Sequence, residues 1–262
     1  MLQLEFLLSK IDLPYRYAAV ASFLACLTIQ EALSPWLSRL MTSSYAQLSP
    51  VQQVEWDNRI MSIAHALTAS FLSLLAFFCD EGLTPDAVRY DSHIVLLGSA
   101  ILLGYALADL FETCMRPRAL WTTDMVFHHV ICCCIPCVYF MYRCAPYYGN
   151  IGWMAEISSP FLHIRRLLMM TGSKKTSQAY KVNGILFVMT FFVFRIAVIP
   201  WFWHNWLFRL TMNPEYYLPE NAVPLNTSLS EGIIMNVLNS YWFVRLCIVT
   251  WRHLSLSKDH DD

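Results

Sequence analysis

The chain has 262 residues, 56% hydrophobic and only 14% charged, with a formal net charge of −1. A soluble domain carries about 25% charged residues, and a chain this size cannot hide so much apolar surface in one aqueous core. Disorder is excluded on the same figures, and 18 basic against 19 acidic residues give no electrostatic reason for a nucleic-acid partner.

A spanning helix needs about 20 mostly apolar residues. Segments of that kind run at roughly 17–37, 60–78, 94–114, 125–142, 151–170, 185–207 and 233–251. The expected fold is therefore an all-α, multi-pass integral membrane bundle of about seven helices, with five to seven the accepted range. Within residues 1–17 no basic residue lies ahead of the apolar stretch and there is no small-residue cleavage site, so the first hydrophobic helix is read as a retained anchor. Its far end holds Gln30, Glu31 and Pro35 and should be wet or packed on a neighbour. The fifth segment carries Glu156, His163, Arg165 and Arg166, and is expected to be short or broken at Pro160.

Alternate connections collect eleven Lys and Arg, from Arg39 to Lys258, on one side. The other side has five: Lys10, Arg16, Arg89, Arg143 and Arg209. The positive-inside rule then predicts a cytoplasmic C-terminus and a lumenal N-terminus. Asn226-Thr227-Ser228 is a glycosylation candidate placed in the lumenal connection before the last span. Trp36, Trp56, Trp121, Trp153, Trp201, Trp203 and Trp251 are read as interfacial anchors.

An ionisable side chain at membrane depth costs about 2.5–3.5 kcal/mol on insertion scales and should face protein or a watery cavity. His65, Asp109, Glu112, His128, His129, Glu156, Arg195 and Arg245 spread over six of the segments, which predicts a central polar cavity. Arg195 could pair with Asp109 or Glu156. For any single residue, helix-to-helix bonding explains its presence equally well. Asp124, one turn before His128, is placed to accept that ring's N–H, leaving an imidazole able to act as general base or nucleophile. A buried structural histidine is the plainer alternative. Metal binding is not expected of the histidine pair. Cys132, Cys133, Cys134 and Cys137 read as thin packing residues, as do Gly98 and Gly104, while Cys79 and Cys144 could form a disulfide. Pro160 frees a backbone carbonyl near Glu156, which opens a helix beside a carboxylate or makes a packed kink.

Several stretches in order resemble the TLC domain (TRAM, Lag and CLN type), a family of multi-pass membrane proteins concerned with lipids. They are Trp56-Asp57-Asn58-Arg59 through His65-Ala66, Gly104-Tyr105 through Asp109-Leu110, His128-His129, Glu156-Ile157-Ser158-Ser159-Pro160-Phe161 with Arg165, and Phe191 through Arg195 to Pro200. The resemblance covers about 51–252, leaving a first helix with its connection (1–50) and a short polar cytoplasmic tail (253–262). It implies an endoplasmic-reticulum protein of lipid homeostasis. In that reading His65, Asp109, His128, His129, Glu156 and Arg195 line a lipid cavity. Membrane lipid is then the partner, no cofactor is needed, and other membrane proteins or a second copy could associate. Ceramide synthases share the domain and use the paired histidines for acyl transfer. This implies the alternative of an acyltransferase, with His128 or His129 catalytic and acyl-CoA as co-substrate. Their pattern continues into a second His-Asp pair, where this chain has Ala155-Glu156. A seven-span receptor fits less well, because no Asp-Arg-Tyr sequence ends the third span.

Overall fold

The computed structural model describes residues 12–173 and 176–258, with side chains as far as 250. Lys10, Lys174, Lys175 and the tail 259–262 lie outside the described residues, as do the side chains of Trp251, Arg252 and Lys258. Among the described residues, six helices are long and apolar enough to cross a membrane. They are α1 (Leu13–Met41), α2 (Pro50–Cys79), α3 (His93–Met115), α4 (Thr123–Tyr142), α6 (Gln178–Met212) and α7 (Pro219–Lys258). Between α4 and α6 lies α5, a broken run of Pro146–Trp153, a 3-10 stretch Met154–Ser158, and Ser159–Met170.

Although α5 is broken into shorter pieces, it runs along most of the length of α2. Near its start Asn150 donates to the Ser73 carbonyl (3.0 Å), and near its end Arg166 grips Glu55 (2.6 and 2.9 Å). Ser73 and Glu55 sit toward opposite ends of α2, so α5 traverses the bundle as a seventh helix. The break has the expected cause. Pro160 lacks a backbone N–H, and the Glu156 carbonyl it would have served accepts from Ser159 in a tighter turn instead.

Two π-turns have a similar origin. Ile29–Leu33 precedes Pro35, and Phe192–Ala197 precedes Pro200, so each widened turn absorbs a missing donor just downstream. The first buries Gln30, which donates to the Val54 carbonyl (3.3 Å), and Glu31 pairs with Arg116 (2.7 Å). The far end of α1 is thus packed on neighbours. Helix α2 starts at a capping box, in which Ser49 and Gln52 satisfy each other's backbone N–H groups.

Small residues put α3 at the centre. A Cβ on Gly104 would lie 2.3 Å from the Ala19 carbonyl oxygen of α1, and one on Gly98 would lie 2.9 Å from the Trp153 ring. Ala100, Ala106 and Ala108 are fully buried on the same helix. Along α7, by contrast, Ile233, Val237, Val244 and Ile248 are exposed, as a lipid-facing stripe requires.

The two ends of the bundle differ. At the end where α1 begins, polar bonds stitch the connections shut. Arg143, itself in a left-handed turn (φ 54°), holds Asp12 (2.8 Å) and Asp91 (2.9 Å). Arg89 donates to Asn221 (2.7 Å), Arg209 reaches Asp86 (3.1 Å), and Tyr90 and Ser92 both donate to Asp80. The bond to Asp80 holds the Tyr90 hydroxyl above its usual range, since the phenol must keep its proton to donate. The opposite end carries Arg39, Arg59, Arg116, Arg118, Arg165, Arg166 and Lys181, as the charge count predicted.

Three expectations need correction. Trp56 and Trp153 are buried rather than interfacial: Trp56 donates to Ser38 (2.9 Å) and Trp153 fills the space above Gly98. Trp36, Trp121 and Trp201 are exposed. Cys79 and Cys144 are both free, because Cys79 is exposed on α2 while Cys144 is buried against Asn221 (3.6 Å). Asn226 lies not in a connection but in the second turn of α7, since Pro219 starts that helix earlier than hydropathy suggested.

The close approach at Gly104 gives a direct test. Gly104→Ala should destabilise the detergent-solubilised protein by about 1–3 kcal/mol, the usual cost of overpacking, and lower its thermal midpoint. Gly152→Ala, where nothing lies within 4 Å of a new Cβ, should leave the midpoint unchanged.

Candidate functional site

In the half of the bundle nearer the basic end, a cavity of about 430 Å³ lies between α2, α3, α4, α5, α6 and α7. His65, Asp109, His128, His129, Glu156 and Arg195 all line it. A narrower cavity of about 120 Å³ extends toward the stitched end, between α3, α4, α5, α6 and α7. The two share Leu102, His128, Cys132, Glu156 and Arg195. Of the other intramembrane charges, Glu112 stays apart, paired with Arg116 one turn on, while Arg245 lies at the mouth of the larger cavity.

One wall is built on α2 and α3. Asn58, Ser62 and His65 fall at i, i+4 and i+7, so they share one face of α2. Asn58 donates to Asp109 (2.7 Å), and the other oxygen of that carboxylate holds His129 Nδ1 (2.7 Å). The His65 ring stacks on Tyr105 at 3.7 Å, with 5° between the planes, and Tyr105 donates to Ser62 (3.2 Å). Both ring nitrogens of His65 are buried with no partner among the described residues, as is Nδ1 of His163.

The facing wall centres on Arg195, carried on the π-turn of α6. Its guanidinium donates to Ser158 (2.8 Å), Ser159 (3.0 Å) and Asn239 (3.1 Å), with Glu156 at 3.8 Å. The broken turn of α5 supplies three of these four partners. Pro160 therefore does more than kink a helix: it exposes a short polar run to a buried cation. Of the two acids named for Arg195, Glu156 is the neighbour and Asp109 serves His129.

The Asp124–His128 pair does not form. Asp124 instead accepts the indole N–H of Trp242 from α7 (3.1 Å), because indole is a donor only and needs an acceptor in a half-buried setting. His128 packs edge-on to Trp242 (5.5 Å) and lies 3.6 Å from the Cys132 sulfur. The carboxylate-held histidine is thus His129, with its acid on α3. The two histidine rings are 5.3 Å apart and tilted by 47°, as adjacent helical positions require. Among the described residues no three His, Cys, Asp or Glu side chains group so as to hold a metal. Chemically, the chamber offers an oriented imidazole, a fixed guanidinium and unpartnered ring nitrogens beside a narrower recess that also holds Glu231 and Asn236.

The TLC domain profile matches residues 55–248 of this chain, all of the cavity wall but its last residue. The chain belongs to the TLC domain family. Relatives agree over most of their length. TLC domain-containing protein 4-B of Xenopus laevis is 33% identical over 81% of this chain and 80% of its own. TLC domain-containing protein 4-A of the same organism is 28% identical over 90% and 91%. TLC domain-containing protein 4 of Homo sapiens is 25% identical over 86% of each chain.

Within this TLC chain, sequence reasoning missed Asn58, Ser62, Tyr105, His163, Ser159 and Asn239 as parts of the wall. The α2 face was readable from the spacing of Asn58, Ser62 and His65. Asn239 carried no local signal, since its partner lies 44 residues away. Arg195 supports a second test. Arg195→Lys should cost nearly as much stability as Arg195→Ala, about 3 kcal/mol, because an ammonium cannot serve Ser158, Ser159 and Asn239 together. Chemical denaturation of the purified protein measures it.

Proposed function

We propose that this TLC protein handles a membrane lipid within its intramembrane chamber and thereby influences lipid homeostasis. The observation that carries this reading is the joining of two cavities through Leu102, His128, Cys132, Glu156 and Arg195. The larger gathers four arginines and four histidines toward the basic end, and the smaller, walled mainly by apolar side chains with Glu231, Asn236 and Asn239 among them, runs on into the membrane interior. An amphiphile matches that division: its head group meets Arg195, His129 and Glu156 while its chain occupies the recess. The family supports an endoplasmic-reticulum membrane, and the basic end supports a cytoplasmic C-terminus and a lumenal N-terminus.

One observation favours a second reading, acyl transfer. The Asp109–His129 bond is the carboxylate–imidazole arrangement that orients a general base. In that reading His129 takes the proton of an amine attacking the thioester of acyl-CoA, and the thiolate of coenzyme A leaves.

Mass spectrometry of lipids retained by the purified protein tests the first reading. Wild type should retain a lipid that His128→Ala/His129→Ala loses or exchanges, and identical profiles would contradict it. Incubation with labelled acyl-CoA and a sphingoid base separates the two readings: lipid retention with no acylated product supports handling alone.

A further inference from the structure

The mouth of the larger cavity is electrically unbalanced. Arg59 of α2, Arg165 of α5 and Arg245 of α7 all line it. Arg59 shares Glu55 (3.3 Å) with Arg166, which already holds that carboxylate with two shorter bonds, and Arg59 Nε is buried with no partner among the described residues. Arg165 lies over the Tyr180 ring at 4.3 Å and has no ion pair among the described residues. Gly184 leaves the room its guanidinium occupies, since a Cβ there would be 2.9 Å from Nη1. Among the described residues, Arg245 donates to Tyr241 on its own helix (3.3 Å) and to no other side chain. The wall's carboxylates are committed elsewhere, Asp109 to Asn58 and His129, and Glu156 beside Arg195.

We infer that the mouth binds a phosphate head group, and that the ligand is a single-chain lipid carrying it. This deepens, and rests on, the lipid-handling reading above. Guanidiniums left unneutralised at a membrane boundary are stabilised by an anion. Three of them on three helices suit the several oxygens of a phosphate better than the two of a carboxylate. The buried, unpartnered nitrogens of His65 and His163 add further hydrogen-bonding positions deeper in the same cavity. The recess beyond holds about 120 Å³, close to the roughly 150 Å³ cavity that accepts one benzene, so it takes one slender chain segment and not two.

The test is binding to the purified full chain in neutral detergent, read by native mass spectrometry. The probes are lysophosphatidic acid, the fatty acid and the monoacylglycerol of the same chain length, and inorganic phosphate. The phosphate lipid should bind one to one and at least about tenfold tighter than the other three. Arg165→Gln and Arg245→Gln should each weaken it about tenfold without changing monoacylglycerol binding. Arg118→Gln, which removes the same charge from an exposed site outside the cavity, should change nothing. Equal binding of phosphate lipid and monoacylglycerol would overturn the inference while leaving lipid handling intact. Equal binding of fatty acid would overturn the choice of phosphate, and equal binding of inorganic phosphate would overturn the lipid as its source. No binding of any lipid would defeat both readings.

Discussion

Charge in hydrocarbon is the constraint on which this structure depends. Each ionised group at membrane depth costs a few kcal/mol unless a partner or water compensates it, and lipid offers neither. Asp109, His129, Glu156 and Arg195 come from four different helices, so the cost is relieved only if those helices gather around common ground. Arg195 makes this plainest, because its four neighbours come from α5 and α7 while the residue itself stands on α6. The polar groups act as positioning devices for helices that are otherwise held by small-residue contacts such as Gly104 on Ala19.

The chamber is made by departures from the regular α-helix. Pro160 and Pro200 each remove a donor, and the 3-10 turn and the π-turn that result present Glu156, Ser158 and Arg195 inward. Regular helices would still have carried these side chains, but without the widened turns their mutual placement would differ. The ends of the bundle reinforce this polarity. One is closed by the bonds of Arg143, Arg89 and Arg209, and the other carries basic residues at the chamber's mouth. A molecule entering the chamber from the basic end therefore meets the arginines first and the narrower recess last.

Much of this was legible in the sequence for a simple reason: hydrophobic length and the price of buried charge are local properties. Spans α1 to α4, α6 and α7 follow from apolar runs, and the six cavity residues from their exceptions to those runs. The break in α5 was readable from Pro160 and its polar neighbours. Pairing was not, because it depends on distant chain. Asp124 sat at the right helical spacing for His128, yet Trp242 from α7 took it, and Asp109 from α3 held His129 instead. Trp56 and Trp153 misled because amphipathic rings serve interfaces and tight interiors alike. The closed end was hard to see for the same reason as Asn239: three of its bonds, from Arg143 to Asp12, Arg89 to Asn221 and Arg209 to Asp86, join residues more than a hundred positions apart.

The central claim is that these groups face one water-accessible hollow, and thiol labelling measures that most directly. In a background with the native cysteines replaced by serine, single cysteines at Ser62, Ser159 and Leu162 probe the chamber wall, while Phe71 and Val193 probe the lipid-facing surface. A membrane-impermeant maleimide added from the basic side should label the three wall positions and spare the other two. Wall positions as unreactive as Phe71 and Val193, in protein that still folds, would contradict a shared chamber.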